Sequence, residues 1–515
     1  MSKAFGCKSQ YRRVWLWIVV IAASACAVAC EQRSPSNTGS GDGGSTAVAA
    51  ERRRVTIDAS MDEWPMESVA LADSHYLYLR AVVGRTMNPQ GGDRRLCIWI
   101  DADNNEQTGV KHRPTLGKPL GVDIEIEYAP RPKQRGVTVT IIGSDGRRRG
   151  VSHADVGLMH APTYADGEFE IRIRRQLTDI KDFPMEGLMS SGTVAGAMGL
   201  LHPGPRMQYL DFFILELPPA SEPVASGPPI PARLPDSIRV VAYNVLDASP
   251  RDTPEPFSRI FRALDADILL IQEWDDGTDE ELVDWFTEHV SSQTSWHAVS
   301  RPKGVSIVSK QSAERVAVDK NAAIYVAAQV QTPLAQVAAV SLHLNCCGTL
   351  DSPEDRRRVD QARAIHRTAR NMAGPIKVIG GDFNLVGSRR PLDTVRARLD
   401  ADRSDLAIAN TLVRGDTAVY TWRNRDEIFP QGRLDYIIYS AASAELRDTF
   451  VLDTSHLSDN ALKQAGLERN DTAFSDHLPL VLDIAPPPRE EPVEETEEVT
   501  EEVTEEVPAD EPAEE

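Results

Sequence analysis

Ile376-Lys377-Val378-Ile379-Gly380-Gly381-Asp382-Phe383-Asn384-Leu385 begins as an apolar run and ends in an acid and an amide. Residues 376–379 have the length and composition of a buried strand. The paired glycines permit a sharp backbone turn after it. Side chains two apart on extended backbone point the same way, so Asp382 and Asn384 are expected to share one face at the mouth of a sheet. Asp and Asn after Gly-Gly are also ordinary turn formers. Taken alone, the stretch leaves turn and site open.

Short apolar strands and helical stretches alternate on both sides of it. Strands are predicted at 238–243, 267–272, 305–309, 323–330, 337–344, 433–439 and 478–484, and helices around 256–264, 279–290 and 353–372. This mixture predicts helices on both faces of strand layers, an α/β sandwich over 236–485. Upstream the texture is different. Runs at 77–83, 95–100, 122–128, 137–142, 169–173 and 209–217 alternate with period two between Gly, Pro and Asp clusters, which predicts an all-β sandwich over 51–217. A Pro/Ala/Ser run over 218–235 reads as the linker between the two.

The composition, 41% hydrophobic and 26% charged over 515 residues, is that of a soluble globular protein with room for more than one core. The net charge of −21 is concentrated at one end, where 489–515 hold fourteen acids and one arginine. With few apolar residues and repeated Glu-Glu-Val-Thr, 486–515 are expected to be a disordered acidic tail. The other end, 1–30, has basic residues followed by the apolar stretch 14–29, the pattern of an export signal. Ala27-Val28-Ala29-Cys30 resembles a bacterial lipoprotein cleavage box, with Ala where Leu is commoner. That resemblance implies a lipid on Cys30 and attachment to a membrane of the bacterial cell envelope, facing the periplasm or the cell surface. Cys26 competes as the lipid site, and plain signal cleavage or an uncleaved anchor are the other readings. Residues 31–50 are a flexible Ser/Gly/Ala tether.

Past the signal only Cys97, Cys346 and Cys347 remain. Three thiols imply no disulfide framework. Cys346-Cys347 has no second Cys/His pair at metal-ligand spacing and reads as structural.

Within 236–485, polar residues recur at the ends of apolar strands. They are Asn244 after 240–243, Glu273 after 269–272, His343 in 340–344, Asp382 and Asn384, Asp435 in 433–437, and Asp476-His477 before Leu478-Pro479. Each alone is bland: a strand histidine is usually a satisfied core residue, and Asp-His before Pro is usually a turn. Six together point to a site. Their order, with Gly380-Gly381-Asp382-Phe383-Asn384 and Ser475-Asp476-His477-Leu478-Pro479, resembles the endonuclease/exonuclease/phosphatase (DNase I-like) superfamily over about 238–484, and 304–310 are similar to another of its strands. The resemblance implies a four-layered α/β sandwich and divalent-metal-dependent cleavage of phosphoester bonds. It implies Asn244, Glu273 and Asp476 as metal ligands. Asp382 would address the attacking water, Asn384 the phosphoryl oxygens and His477 the phosphate, with Asp435 behind His477 and His343 protonating the leaving oxygen. Carboxylate oxygens suit Mg²⁺, or Mn²⁺ in its place.

A second, shorter resemblance covers 55–217. Val55-Thr56-Ile57-Asp58-Ala59-Ser60-Met61-Asp62-Glu63-Trp64 is similar to the opening of β-sandwich modules related to family 9 carbohydrate-binding modules, which implies a carbohydrate ligand. The loop 101–105 with Thr108-Gly109 is a candidate Ca²⁺ loop or a plain Asp/Asn turn.

The expected function is an exported phosphodiesterase or nuclease. The substrate is a phosphoester in nucleic acid, a phospholipid head group or a sugar phosphate. A phosphomonoesterase or sphingomyelinase-like enzyme, and a surface ligand-binding lipoprotein with an inert hydrolase-like domain, are the alternatives. Nucleases need cations along the backbone, yet 236–488 are formally −9. Arg356-Arg357-Arg358 and Arg389-Arg390 are either local positive charge for the site or a solvated face. Oligomeric state is left open.

Overall fold

A computed structural model of the chain describes residues 55–129, 135–177, 189–190, 192–204, 206–318 and 324–487. The expected signal segment, its lipid site, the tether and nearly all of the acidic tail lie outside these residues. Among the described residues no helix is long and apolar enough to cross a membrane.

The N-terminal region is β-rich. A four-stranded sheet contains Tyr76–Met87 and Asp166–Arg174, and a six-stranded sheet contains Arg95–Asp101, Ile124–Tyr128, Val137–Ile142, Gly192–Leu201 and Met207–Leu217. Strand alternation decides what each sheet covers. Phe169, Ile171 and Ile173 face the six-stranded sheet and pack with Ile98, Ile126 and Val139. Glu170 and Arg172, one residue out of phase, face away, toward the rest of the chain.

Gly192–Leu201 is a strand that the sequence reading omits. Its glycines and alanines carry little strand signal, but a Cβ on Gly196 would lie 2.4 Å from the Phe213 ring. The strand is glycine-rich because its neighbours' side chains cross it. The acidic loop at 101–105 gathers Asp101, Asp103 and Asp123 within 4.8 Å. Their oxygens accept the backbone amides of Ala102, Asn105 and Gly121, as an Asp/Asn turn requires.

In the second unit, one six-stranded sheet carries Ile238–Asn244, Ile268–Gln272, Val305–Ser309 and Leu480–Ala485; the other carries Tyr325–Gln331, Gln336–His343, Ile376–Asp382 and Asp435–Tyr439. Val240, Ala242, Ile268 and Leu270 meet Ala339, Val378 and Ile437 in the core between the sheets. The out-of-phase residues Val241, Tyr243, Leu269 and Ile271 pack on Phe257, Phe261 and Phe286 of the helices Pro254–Leu264 and Asp279–His289. On the far side, Val340, Leu342 and Ile379 pack on Ala362, Ile365 and Ala369 of the helix Pro353–Asn371. That helix starts where it does because the Ser352 side chain accepts the Asp355 amide and Pro353 takes the first turn.

The two units share a core. Val55, Ile57, Tyr78 and Met159 join the cluster that contains Ala418, Tyr420 and Leu478. The outward Glu170 accepts the Trp64 indole at 2.8 Å and the amides of Asp58 and Ala59. Arg172 donates two bonds to Asp416, at 2.6 and 2.9 Å. The Pro/Ala/Ser segment is bound along its length: the amide of Ser221 donates to Ser74 O, that of Gly227 to His456 O, and that of Ser458 to Gly227 O.

The Arg172–Asp416 pair is buried on both sides, at 2% and 4% exposure. Burial would raise the Asp416 carboxyl, but Arg172 outweighs it and holds it at about 2. A folded value below the unfolded one contributes stability above the unfolded pKa, lost as pH falls toward 2. Asp416→Ala leaves the guanidinium buried alone and is expected to cost about 3–5 kcal/mol in urea unfolding. A loss within ±0.5 kcal/mol would show that the interface does not depend on the pair.

Candidate active site

One rung of the second sheet carries three of the predicted residues. His343 pairs with Asp382 across parallel strands, and Asp382 pairs with Asp435 across antiparallel ones. The facing sheet ends alongside with Asn244 paired to Gln272 and Glu273 one residue beyond. Residues far apart in sequence therefore converge where strand ends meet.

The glycines before Asp382 act differently from the predicted turn. Gly380 and Gly381 lie inside Ile376–Asp382 and the strand runs through them. A Cβ on Gly381, whose φ is +135°, would lie 2.1 Å from Leu342 O and 2.8 Å from Gln272 Nε2. The requirement is close approach, because Gln272 crosses between the sheets to donate to Ser341 Oγ at 2.9 Å. Asn384 also departs from the expected alternation. It sits at φ 48°, in the left-handed region that Asn tolerates, and this brings its amide back onto Asp382.

Asp382 is the hub. Its Oδ2 accepts Asn384 Nδ2 at 2.9 Å and Asn244 Nδ2 at 3.5 Å; His343 Nε2 stands 3.5 Å away and His477 Nε2 3.8 Å away. Burial raises its carboxyl to about 6 against the pull of His477. Asn384 spends its other amide hydrogen on Leu344 O at 3.1 Å, so in this geometry it orients Asp382 rather than pointing at a substrate.

His477 Nδ1 donates to Asp435 Oδ2 at 2.8 Å. Burial would lower this imidazole, but Asp435 and then Asp382 and Asp476 raise it to about 10. Thr421, which carries no motif, donates to the same Asp435 oxygen at 2.6 Å and accepts the Asp435 amide at 2.9 Å. Ser475 donates to Asn244 O at 2.8 Å and accepts the His477 amide. Thr421 reaches the site from a loop with no strand-end pattern, so the sequence offers no sign of it.

Glu273, at φ 61°, turns its carboxylate into the site. It accepts Asn244 Nδ2 at 3.1 Å and the Asp247 amide at 3.1 Å, and lies 3.8 Å from His343 Nε2. Burial opposes its ionisation, but His343 and these bonds prevail and lower its pKa. Asn244, predicted as a ligand, presents its amide hydrogens to Glu273 while its oxygen accepts the Leu246 amide at 3.1 Å. Asp476 accepts the Trp422 indole on Oδ2 at 3.1 Å, and its Oδ1 is buried without a partner. In this site, the acid and imidazole atoms that converge within 4.8 Å belong to Asp382, Asp435 and His477. Glu273 and Asp476 line the same cleft of about 310 Å³ without joining that group.

The arginine runs serve elsewhere. Arg358 is buried and donates to Asn345 O, Cys347 O and Asp355. Arg389 pairs with Asp393, and Arg390 with Asp351. None of them lines the cleft. Cys346 and Cys347, read as structural, are exposed on its wall and not joined in a disulfide; Cys347 Sγ donates to Cys346 Sγ at 2.7 Å.

Residues 241–477 match the model of the Endonuclease/Exonuclease/phosphatase family. Comparison with curated proteins returns no match. Among solved structures, an AP endonuclease from Archaeoglobus fulgidus is similar at 15% identity, covering 48% of this chain and 98% of its own, with a TM-score of 0.33. The 3′ phosphatase NExo from Neisseria, bound to product DNA hairpin, is similar at 22% identity over 48% and 98%, TM-score 0.34. Beta toxin from Staphylococcus aureus is similar at 15% over 48% and 99%, TM-score 0.31. Likenesses of this degree carry nothing about activity.

Proposed function

We propose that this chain, whose residues 241–477 form a domain of the Endonuclease/Exonuclease/phosphatase family, is an exported, lipid-anchored phosphodiesterase or nuclease that works with a divalent cation. The observation that carries the reading is Asp382, buried at the foot of a cleft between two histidines and two amides, with an ionised Glu273 beside it. Position 382 is thus equipped to take a proton, and His477 to hold positive charge.

The donor set fits a hard cation. Glu273 and Asp476 offer carboxylate oxygens, and the Asp476 Oδ1 is a buried acceptor with no partner in the protein, which a cation would satisfy. These two would hold the ion, Mg²⁺ or Mn²⁺ by their chemistry. When bound, it supplies charge neutralisation at the phosphoryl oxygens and lowers the pKa of water.

The remaining work falls to the chain. Asp382 accepts the proton of the attacking water, and Asn384 and Asn244 keep its carboxylate aimed. His477, held as a cation chiefly by Asp435, which Thr421 helps to position, stabilises charge developing on the phosphoryl group. His343, a quarter exposed and between Glu273 and Asp382, delivers a proton to the leaving oxygen.

The test is a panel of nucleic acid, sphingomyelin, inositol phosphates and phosphorylated sugars, assayed with Mg²⁺ and with EDTA. At least one phosphodiester is expected to be hydrolysed with Mg²⁺, and EDTA is expected to remove about a hundredfold or more of that rate. Hydrolysis indifferent to EDTA would overturn the proposal.

A further inference from the structure

The β-rich region builds one wall of the catalytic cleft. Asn88 Nδ2 donates to Val386 O at 2.6 Å, and Thr163 Oγ1 to Leu385 O at 2.8 Å and Arg433 O at 3.0 Å. These fasten the loop that follows Asp382 and Asn384 and the segment just before Asp435. The cleft's outer loop is gripped from the same side: Val137 N donates to Ile428 O at 2.8 Å, and His153 Nε2 bonds Glu427 O at 3.0 Å. At Gly136, φ +84°, a Cβ would lie 2.3 Å from Ile428 O, so the backbones of the two units touch there. Gln90, Arg135 and Thr163 line the cleft with Glu273, Asp382 and His477.

Charge around the cleft is lopsided. Glu273, Asp382, Glu427 and Asp476 line it, and among the described residues Arg135 is its one arginine or lysine. The Arg135 stem and Thr349 both lie against Gly91: a Cβ on Gly91 would lie 3.4 Å from Arg135 Cγ and 3.1 Å from Thr349 Cγ2. This places it at the Cys346–Gly348 end. The Cys347 thiol there is lowered to about 7, first by Cys346 and then, against burial, by Arg135 and Arg358. Arg135 is exposed and, among the described residues, makes no ion pair within 4.0 Å; Glu354 is a carboxylate near enough to feel its charge. Such a guanidinium, brought to the rim of an acidic cleft by another part of the chain, is suited to an anion.

We infer that Arg135 is a specificity-determining residue that binds a second phosphate of the substrate, beyond the ester being cleaved. The β-rich region thereby selects phosphodiesters carrying another phosphate over singly charged ones. This rests on the phosphodiesterase reading of the site. The second phosphate has two sources, the next linkage of a nucleic acid strand or a further phosphate on a sugar or inositol ring.

The test uses the full chain with Mg²⁺ and two matched pairs of p-nitrophenyl phosphodiesters. One pair is the thymidine 5′ ester without and with a 3′-phosphate; the other is the inositol ester without and with a second phosphate. In the wild type, kcat/KM is expected to favour the doubly charged member of one pair by about ten- to a hundredfold, through KM. That pair identifies the source. Arg135→Ala is expected to bring the ratio close to one, and Arg135→Lys to restore most of it. A purely structural role would lower both members together and keep the ratio. A wild type with no preference in either pair, or an Arg135→Ala variant that keeps its preference, overturns the inference. Absence of metal-dependent hydrolysis of all four esters rejects the reading of the site itself, and this inference with it.

Discussion

Replacing Asp382 by alanine is expected to lower kcat for a generic phosphodiester by about 10²–10⁴-fold, the range a positioned base supplies. Among the groups of the site, Asp382 alone is approached by both histidines and by both amides. Nothing nearby can take over, because Asp435 is engaged by His477 and Thr421, and Glu273 has its pKa lowered by His343, the Asn244 amide and the Asp247 backbone, which makes it a weaker base. The fold should tolerate the change. Burial raises this carboxyl to about 6, so its charged form costs stability at neutral pH and removing it relieves that cost. The measurements are hydrolysis of bis(p-nitrophenyl) phosphate and urea unfolding of the same preparation. A variant as fast as wild type would falsify the assignment of Asp382 as the base.

The second large effect is expected at Asp435→Asn, which keeps the shape of the side chain and removes its charge. His477 is buried, and burial alone would take its pKa below the ordinary 6.5. Asp435 is the main reason that it instead stands near 10. With the charge gone, the imidazole should be largely neutral at pH 8, with kcat reduced on the order of a hundredfold there and much less near pH 6. NMR titration of His477 in chelator-treated protein checks the cause directly. The wild-type resonance should move near pH 10, and the variant's below neutrality. Stability follows the same direction. Because the folded value lies above the unfolded one, the pair's contribution is full below about pH 6.5 and fades as pH rises through about 10. The variant should show a flatter stability profile over that interval. An imidazole that titrates alike in both proteins would leave Asp435 with no electrostatic role.

Several elements were legible because their cause is local. The strands Val137–Ile142 and Val305–Ser309 have the predicted bounds, since apolar alternation bounded by turn residues is the physical reason that they are strands. The helix Pro353–Asn371 was legible from its long charged stretch. Gly192–Leu201, His297–Arg301 and Glu445–Val451 were not. The first is too rich in glycine, and the other two are half exposed and lack the apolar signature. The glycines at 380 and 381 were legible as special and misread in kind: close neighbours make them necessary, Leu270 and Ile437 at Gly380, and Leu342 O and Gln272 at Gly381.

By itself, the order of residues determined the chemical vocabulary of this protein. Acids, amides and histidines stand at strand ends, in an arrangement whose local pattern survives without knowledge of the fold. Tertiary structure alone decided the grammar. It set His343, Asp382 and Asp435 side by side on one rung, gave Asp435 its Thr421 support, and spent the arginine runs on loop carbonyls and surface acids. It also brought Arg135 across from the other unit to the cleft. These partners are separated by up to hundreds of residues. Contacts at such range are chosen by the packing of whole sheets, and they leave no period, cap or turn signal in the chain for a reader to find.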